Sequence, residues 1–267
     1  MKKFVKFLSL MLAMVTLLCG CAHANTEPAT EATQPAPEPI TTEELLAAAL
    51  EENGRVIIAG DMTVTKGVLV NDNFVEGGGY TLTAPVYDEE DINTSAALFI
   101  TKGTIENVTI KGGYRGIGTT SEHRASGEIR IKNVDLDGEN CGLYIGHGTS
   151  QGPLYVDNSN LGSQTVFNKV TSAQFTNCTF QWNESGSKGN LTAYTDVTIS
   201  NCRFENLVQA DGTVKKYTIA FGSNVDGFTM TLENCYVGDT LITQDNISTL
   251  LKVLPRKNTI QVHNTEV

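Results

Sequence analysis

Basic charge is scarce in this chain. Lys and Arg total 19 against 30 Asp and Glu, for a net charge of −11 over 267 residues. A chain so charged repels polyanions, so no nucleic-acid partner is expected and an anionic membrane surface is a poor one. Metal-ligand spacing is missing as well. Six Cys and four His contain no CxxC and no Cys/His pair at the spacing a zinc site uses, so no metal cofactor and no other cofactor is expected. The apolar run at residues 7–18 is too short for a comfortable membrane span. Helix formers do not dominate, whereas Thr, Asn, Gly and Val are abundant, and that balance favours an all-β chain.

The chain opens with Lys2, Lys3 and Lys6, then the short apolar run, then Leu18-Cys19-Gly20-Cys21. This resembles the bacterial lipoprotein signal, cleaved just before a Cys that becomes lipidated. Cys21 fits best, with Gly20 before it and Leu18 three residues back. The resemblance implies a signal over 1–21 and an extracytoplasmic protein, held on a bacterial cell surface by a lipid on Cys21. Residues 22–40 are rich in Ala, Thr, Glu and Pro without apolar periodicity, and read as a disordered linker. The remainder, 41–267, reads as one domain. It begins with a helix over 41–53, where Thr41 and Glu44 have capping-box spacing and Leu45, Leu46, Ala49 and Leu50 form an apolar stripe. Such a helix is placed to cap the open end of a stack of strands. A short helix over 245–254 and a last strand over 259–263 are expected at the other end.

Between these lies a repeat. In Val197-Thr-Ile199-Ser-Asn201-Cys202-Arg-Phe204 the apolar alternation slips by one at the Asn. A strand of period two cannot do that without a bend. The same slip recurs at Asn107, Asn133, Asn158, Asn177 and Asn234. One bend in roughly two dozen residues is the mark of a repeat architecture. A single coil cannot bury enough apolar surface to offset the entropy of ordering it, so stability belongs to the stack.

The apolar-x-apolar-x-Asn-Cys-x-Phe motif, fullest at 175–180 and 199–204, resembles the right-handed parallel β-helix domains of the pectin-lyase-like superfamily. The resemblance covers about 56–239. It implies an all-β solenoid of roughly seven to eight coils, with each Asn at a tight corner and the six amides stacked as a ladder. Cys178, Cys202 and Cys235 then occupy one inward slot after the corner. Cys141 lies elsewhere. An extracytoplasmic setting permits disulfides, but in-register side chains point the same way, and free buried thiols are the reading taken here.

Enzymes of that superfamily hold substrate on the outer face of a strand between long turns. Projected onto this chain, the outward residues there include Tyr144, Phe167, Thr192 and Thr218, with no carboxylate among them. Paired acids, or several carboxylate oxygens around calcium, are what hydrolysis or elimination of glycans needs. Gly146-His147-Gly148 and Arg130-Ile131-Lys132 resemble motifs of polygalacturonase-type hydrolases. They stand in the opposite order, and the family's Asn-Thr-Asp motif and Asp pair are missing, so the match is read as coincidence. The candidate ligand-binding residues are Tyr144, His147, Phe167, Trp182, His123 and Arg124, which could stack on sugar rings or contact them from the turns. Asp88, Glu89, Glu90 and Asp91 are a weak calcium candidate, read first as a solvated loop. The leading expectation is a surface lipoprotein with a binding or scaffold module that contacts polysaccharide and carries no catalytic constellation. The alternatives are a lyase or hydrolase acting from the turns and a self-associating structural protein.

Overall fold

The computed structural model describes residues 39–52, 54–86, 96–148, 152–182 and 190–265. The expectations for the signal, Cys21, nearly all of the linker, and Asp88, Glu89, Glu90 and Asp91 lie outside the described residues. What is described is all-β and mostly parallel, with two helices, and is compatible with a β-helix solenoid.

One ladder of parallel strands runs through Arg55–Ile57, Val68–Glu76, Ala96–Glu106, Ile129–Lys132, Leu154–Asp157, Ala173–Thr176, Val197–Ser200, Asp226–Glu233 and Lys257–His263. Register brings Val56, Val75, Ile105, Ile131, Val156, Phe175, Ile199, Leu232 and Val262 into one inward row. Six of these strands, from Ala96–Glu106 to Asp226–Glu233, then meet an Asn corner. Asn107, Asn133, Asn158, Asn177, Asn201 and Asn234 all have φ between 49° and 57°, the left-handed region that Asn tolerates better than other side chains. Beyond the corner a second parallel sheet stacks Met62, Leu82, Ile110, Leu136, Leu161, Phe180, Phe204 and Val237 into another inward row. A second ladder, Arg115–Gly118, Cys141–Ile145, Gln164–Phe167, Asn190–Ala193, Thr218–Phe221 and Lys252–Leu254, starts from the front half of Ala96–Glu106. That long strand serves both ladders.

The corner amides form a shorter ladder than the repeat implies. Asn133 Nδ2 donates to Asn107 Oδ1 at 2.9 Å, and Asn158 Nδ2 donates to Asn133 Oδ1. The Asn107 amide caps the run on Glu76 Oε1 at 2.9 Å. At Asn177 the chain of amides ends, because its Nδ2 turns to Asp157 Oδ1 at 3.4 Å. Beyond it the slot after the Asn takes over. All four described cysteines are buried, and none is in a disulfide among the described residues. Cys178, Cys202 and Cys235 each donate to the carbonyl two residues back, at 3.3, 3.3 and 3.5 Å. Cys202 Sγ also accepts from the backbone N–H of Cys178 at 3.2 Å. Ser159 occupies the same slot one coil earlier and bonds the same way, to Asp157 O at 2.7 Å and from Val134 N at 3.2 Å. The thiols are therefore hydrogen-bonding corner pieces as well as core filler. The hydrogen bond with Cys178 and burial hold Cys202 far above the ordinary thiol range, and burial pushes Cys235 up to about 11.

Three expectations are corrected at the ends and in the second ladder. The first helix is Glu43–Glu51, capped by Thr42 rather than Thr41, with Thr42 Oγ1 accepting from Leu45 N. It buries Leu46 and Leu50 on the first coil and leaves Leu45 exposed. The Glu43 carboxylate pins it there by accepting from Thr65 N, Thr65 Oγ1 and Lys66 N at 2.8–2.9 Å. The C-terminal helix is a single turn, Ile247–Leu250, because Lys252–Leu254 pairs with Thr218–Phe221 instead. In the second ladder Phe167 points inward. It is fully buried against Phe175, and Val166 takes the outward position beside Tyr144. Thr165, whose hydroxyl is buried without a partner, takes the inward position opposite Leu143, which sets Phe167 inward and Val166 outward.

Candidate functional site

Two outward faces carry the chemistry. The first lies on the second ladder and gathers four of the expected residues. Tyr144 points outward from Cys141–Ile145 and folds back over Gly146, where a Cβ would stand 2.2 Å from its ring. Arg115, from the next strand of the ladder, lays its guanidinium on that ring at 4.0 Å. Arg115 Nη1 donates to the Thr119 carbonyl at 3.0 Å. The same carbonyl meets His147 Nδ1 at 3.2 Å, and the Tyr144 and His147 rings lie 6.0 Å apart. The turn after Thr119 is closed by Thr120 Oγ1, which accepts from the N–H groups of Glu122 and His123. That turn seats the His123 ring 5.2 Å from Phe99 and ties Arg124 Nε to Ser121 O at 2.7 Å. Burial pushes the His147 imidazole below its usual range. The Thr119 contact opposes that, and the positive charges of Arg115, Arg124 and Lys169 add to it. Burial raises the Tyr144 phenol, with Arg115 opposing.

The other two expected residues are elsewhere. Phe167 is core, and Trp182 is half-buried and packs against the core cluster, so neither is a free platform for a sugar ring. Arg130 and His147, the halves of the two hydrolase-like fragments, stand on different ladders.

The second face was not anticipated. On the first ladder one register row points outward along the whole stack. It runs Arg55, Phe74, Thr104, Arg130, Tyr155, Gln174, Thr198, Thr231 and Gln261. Arginine lies on an aromatic ring twice in this row. Arg55 sits 5.0 Å from the centre of Phe74, and Arg130 sits 4.4 Å from that of Tyr155. Beside Tyr155 opens a groove of about 450 Å³, walled by Gln174, Thr198, Thr231 and Gln261, with Asp196 at its edge. A second hollow of about 420 Å³ opens beside Phe74 and Thr104. Amides and hydroxyls spaced by one coil, next to aromatic faces, are the groups that hydrogen-bond and stack on sugars.

A row two residues further on ends at the same corners. There Glu76 and Glu106 are register neighbours whose carboxyls act on each other. Burial and the Glu76 carboxylate hold Glu106 above its ordinary value. Glu76 is also pushed up by burial, but hydrogen bonds from Asn107 and Gly78 and the charge of Arg55, 4.0 Å away, bring it below. Among the described residues no group of three or more His, Cys, Asp or Glu is placed to hold a metal. No family model, curated protein or solved structure matches this chain.

Proposed function

We propose that this chain is a bacterial surface lipoprotein whose domain, a right-handed parallel β-helix of the pectin-lyase-like kind, binds a linear polysaccharide along the outward row of its first ladder. The observation that carries the reading is the Arg130–Tyr155 pair at 4.4 Å, opening onto a groove walled by Gln174, Thr198, Thr231 and Gln261. From Thr104 onward, a polymer lying along the stack meets a polar or hydroxyl-bearing side chain at each coil, about every 4.8 Å. Tyr155 supplies a ring face, and Arg130 holds that face in place. The lipid on Cys21 would keep the module at the cell surface, with residues 22–40 as the tether.

Affinity electrophoresis against a panel of soluble polysaccharides tests the binding. At least one should retard the wild-type protein. Tyr155→Ala should weaken that interaction about tenfold, the scale of one lost aromatic contact. Trp182→Ala, which alters a core contact, should leave binding unchanged. An inert wild-type protein overturns the reading, and release of reducing or unsaturated sugars replaces binding with catalysis. Metabolic labelling with a fatty acid tests the anchor: Cys21→Ser should lose the label and the membrane association together.

A further inference from the structure

The Tyr144 face holds an unusual arginine. Arg115 is 6% exposed, and among the described residues its buried Nε has no hydrogen-bond partner and its one acceptor is the Thr119 carbonyl. A guanidinium taken out of water normally sits against a carboxylate. None of Arg115, Arg124 and Lys169 forms an ion pair with an acidic side chain among the described residues. In a chain of net charge −11, three cations whose charges all reach one imidazole, none with an ion-pair partner among the described residues, are a local inversion of sign.

The surroundings are built to keep that charge in place. Gly118 lies beneath the arginine, where a Cβ would come 3.1 Å from Arg115 Cδ. The ring of Tyr144 covers one side at 4.0 Å, with Tyr114 at 5.8 Å. Thr119 fixes two of the members, because its hydroxyl accepts from the His147 N–H at 2.9 Å and its carbonyl takes both Arg115 Nη1 and the His147 ring contact. Lys169 comes in from the next coil, packed where a Cβ on Gly148 would touch it. A planar fork of donors next to an imidazole that also feels the charges of Arg124 and Lys169 matches the oxygens of an anion.

We propose that Arg115, with Arg124, Lys169 and His147 around it, forms a binding site for an oxyanion — carboxylate, sulfate or phosphate. The site stands on the second ladder, apart from the polar row of the first, and does not depend on it. The shared chemistry has two sources, a free ion or an anionic group carried on a polymer.

Titration calorimetry in chloride buffer separates them, with inorganic sulfate, inorganic phosphate, dextran sulfate and neutral dextran as probes. The expected result is saturable binding of sulfate or phosphate, or of dextran sulfate in competition with sulfate, and no binding of sodium chloride at matched ionic strength. Binding of the polymer alone assigns the site to a polymer-borne group, and binding of the inorganic ions assigns it to free anions. Arg115→Met should lower the affinity more than about tenfold. The double variant Arg124→Ala with Lys169→Ala, which leaves the packed arginine in place, should lower it about tenfold as well. Tyr155→Ala should have no effect. No saturable binding of any anionic probe overturns the proposal, and so does binding that the double variant leaves unchanged.

Discussion

Two rows run side by side through the same strands. The corner row, Asn107 to Asn234, repeats one residue type and one backbone angle through six coils. The outward row, Arg55 to Gln261, never repeats a residue type at neighbouring levels except for Thr198 and Thr231. The difference separates two kinds of constraint. A corner has one geometric problem, a left-handed residue whose polar groups must be satisfied, and few side chains solve it. An outward position has no packing problem, so its residues are free to serve a ligand. Changes in the corner row should therefore move stability and spare binding, and changes in the outward row should do the reverse.

The largest effect belongs to the core that the corners enclose. In the second half of the stack it is aromatic. Phe180 and Phe204 stack at 4.9 Å, and Tyr217 packs on both. Phe204→Ala should cost about 3–5 kcal/mol in a denaturant unfolding experiment, from lost burial and the cavity left behind. Next comes the amide ladder. Asn133→Ala breaks a bond on each side and places Ala at φ 50°, for about 2–3 kcal/mol. Asn201→Ala meets the same backbone angle without a side-chain amide bond to lose, and should cost about 1–2 kcal/mol. Gly sharpens the contrast. Asn201→Gly should be nearly neutral, whereas Asn133→Gly should retain a deficit of about 1 kcal/mol from the ladder.

Smaller still is the thiol slot. Ser159 already makes the bonds that Cys202 makes, so Cys202→Ser should stay within about 1 kcal/mol of wild type, and Cys202→Ala should fall below it by about that much. The smallest effect is electrostatic. The Glu106 carboxyl is raised by burial and by Glu76, so its stabilising share is present below the unfolded carboxylate range and is lost as pH rises through its folded value. Glu106→Gln should remove that loss and flatten the melting temperature between the carboxylate range and neutrality. Glu43 has the opposite sign. Burial raises it, but the N–H groups of Thr65 and Lys66 lower it further, so its share is present at neutral pH and is lost on acidification. Glu43→Gln should lower the melting temperature at neutral pH and leave it unchanged in acid.

The same contrast explains what could be read from the sequence. The six Asn corners, the strands before them and the inward thiols were legible, because a break in period-two alternation has one cheap structural solution. The extent of the ladder was not, since Asp157 draws off the Asn177 amide through a cross-coil contact that no local pattern encodes. Phe167 was misplaced by one residue because a polar residue, Thr165, fills the inward position opposite Leu143 that apolar alternation assigns to neither neighbour. The end of the chain read as helix from composition, yet pairing with Thr218–Phe221 made Lys252–Leu254 a strand. His123, Arg124, Tyr144 and His147 could be named as candidates from the sequence, whereas Arg115, which contacts Tyr144 and shares the Thr119 carbonyl with His147, was hidden inside a strand. The outward row escaped notice entirely. Spacings between coils vary with each turn, so Arg130 and Tyr155 become neighbours only once the register is known.

The central claim is that ligand contact resides in the outward row and fold in the corner row. Its most direct measurement is a polysaccharide titration of Tyr155→Ala and Asn133→Ala side by side, each with its unfolding curve. The account predicts that Tyr155→Ala keeps wild-type stability and loses binding about tenfold, while Asn133→Ala loses about 2–3 kcal/mol of stability and, where folded, keeps wild-type affinity. Wild-type affinity in Tyr155→Ala, or a matching loss of affinity in folded Asn133→Ala, would contradict it.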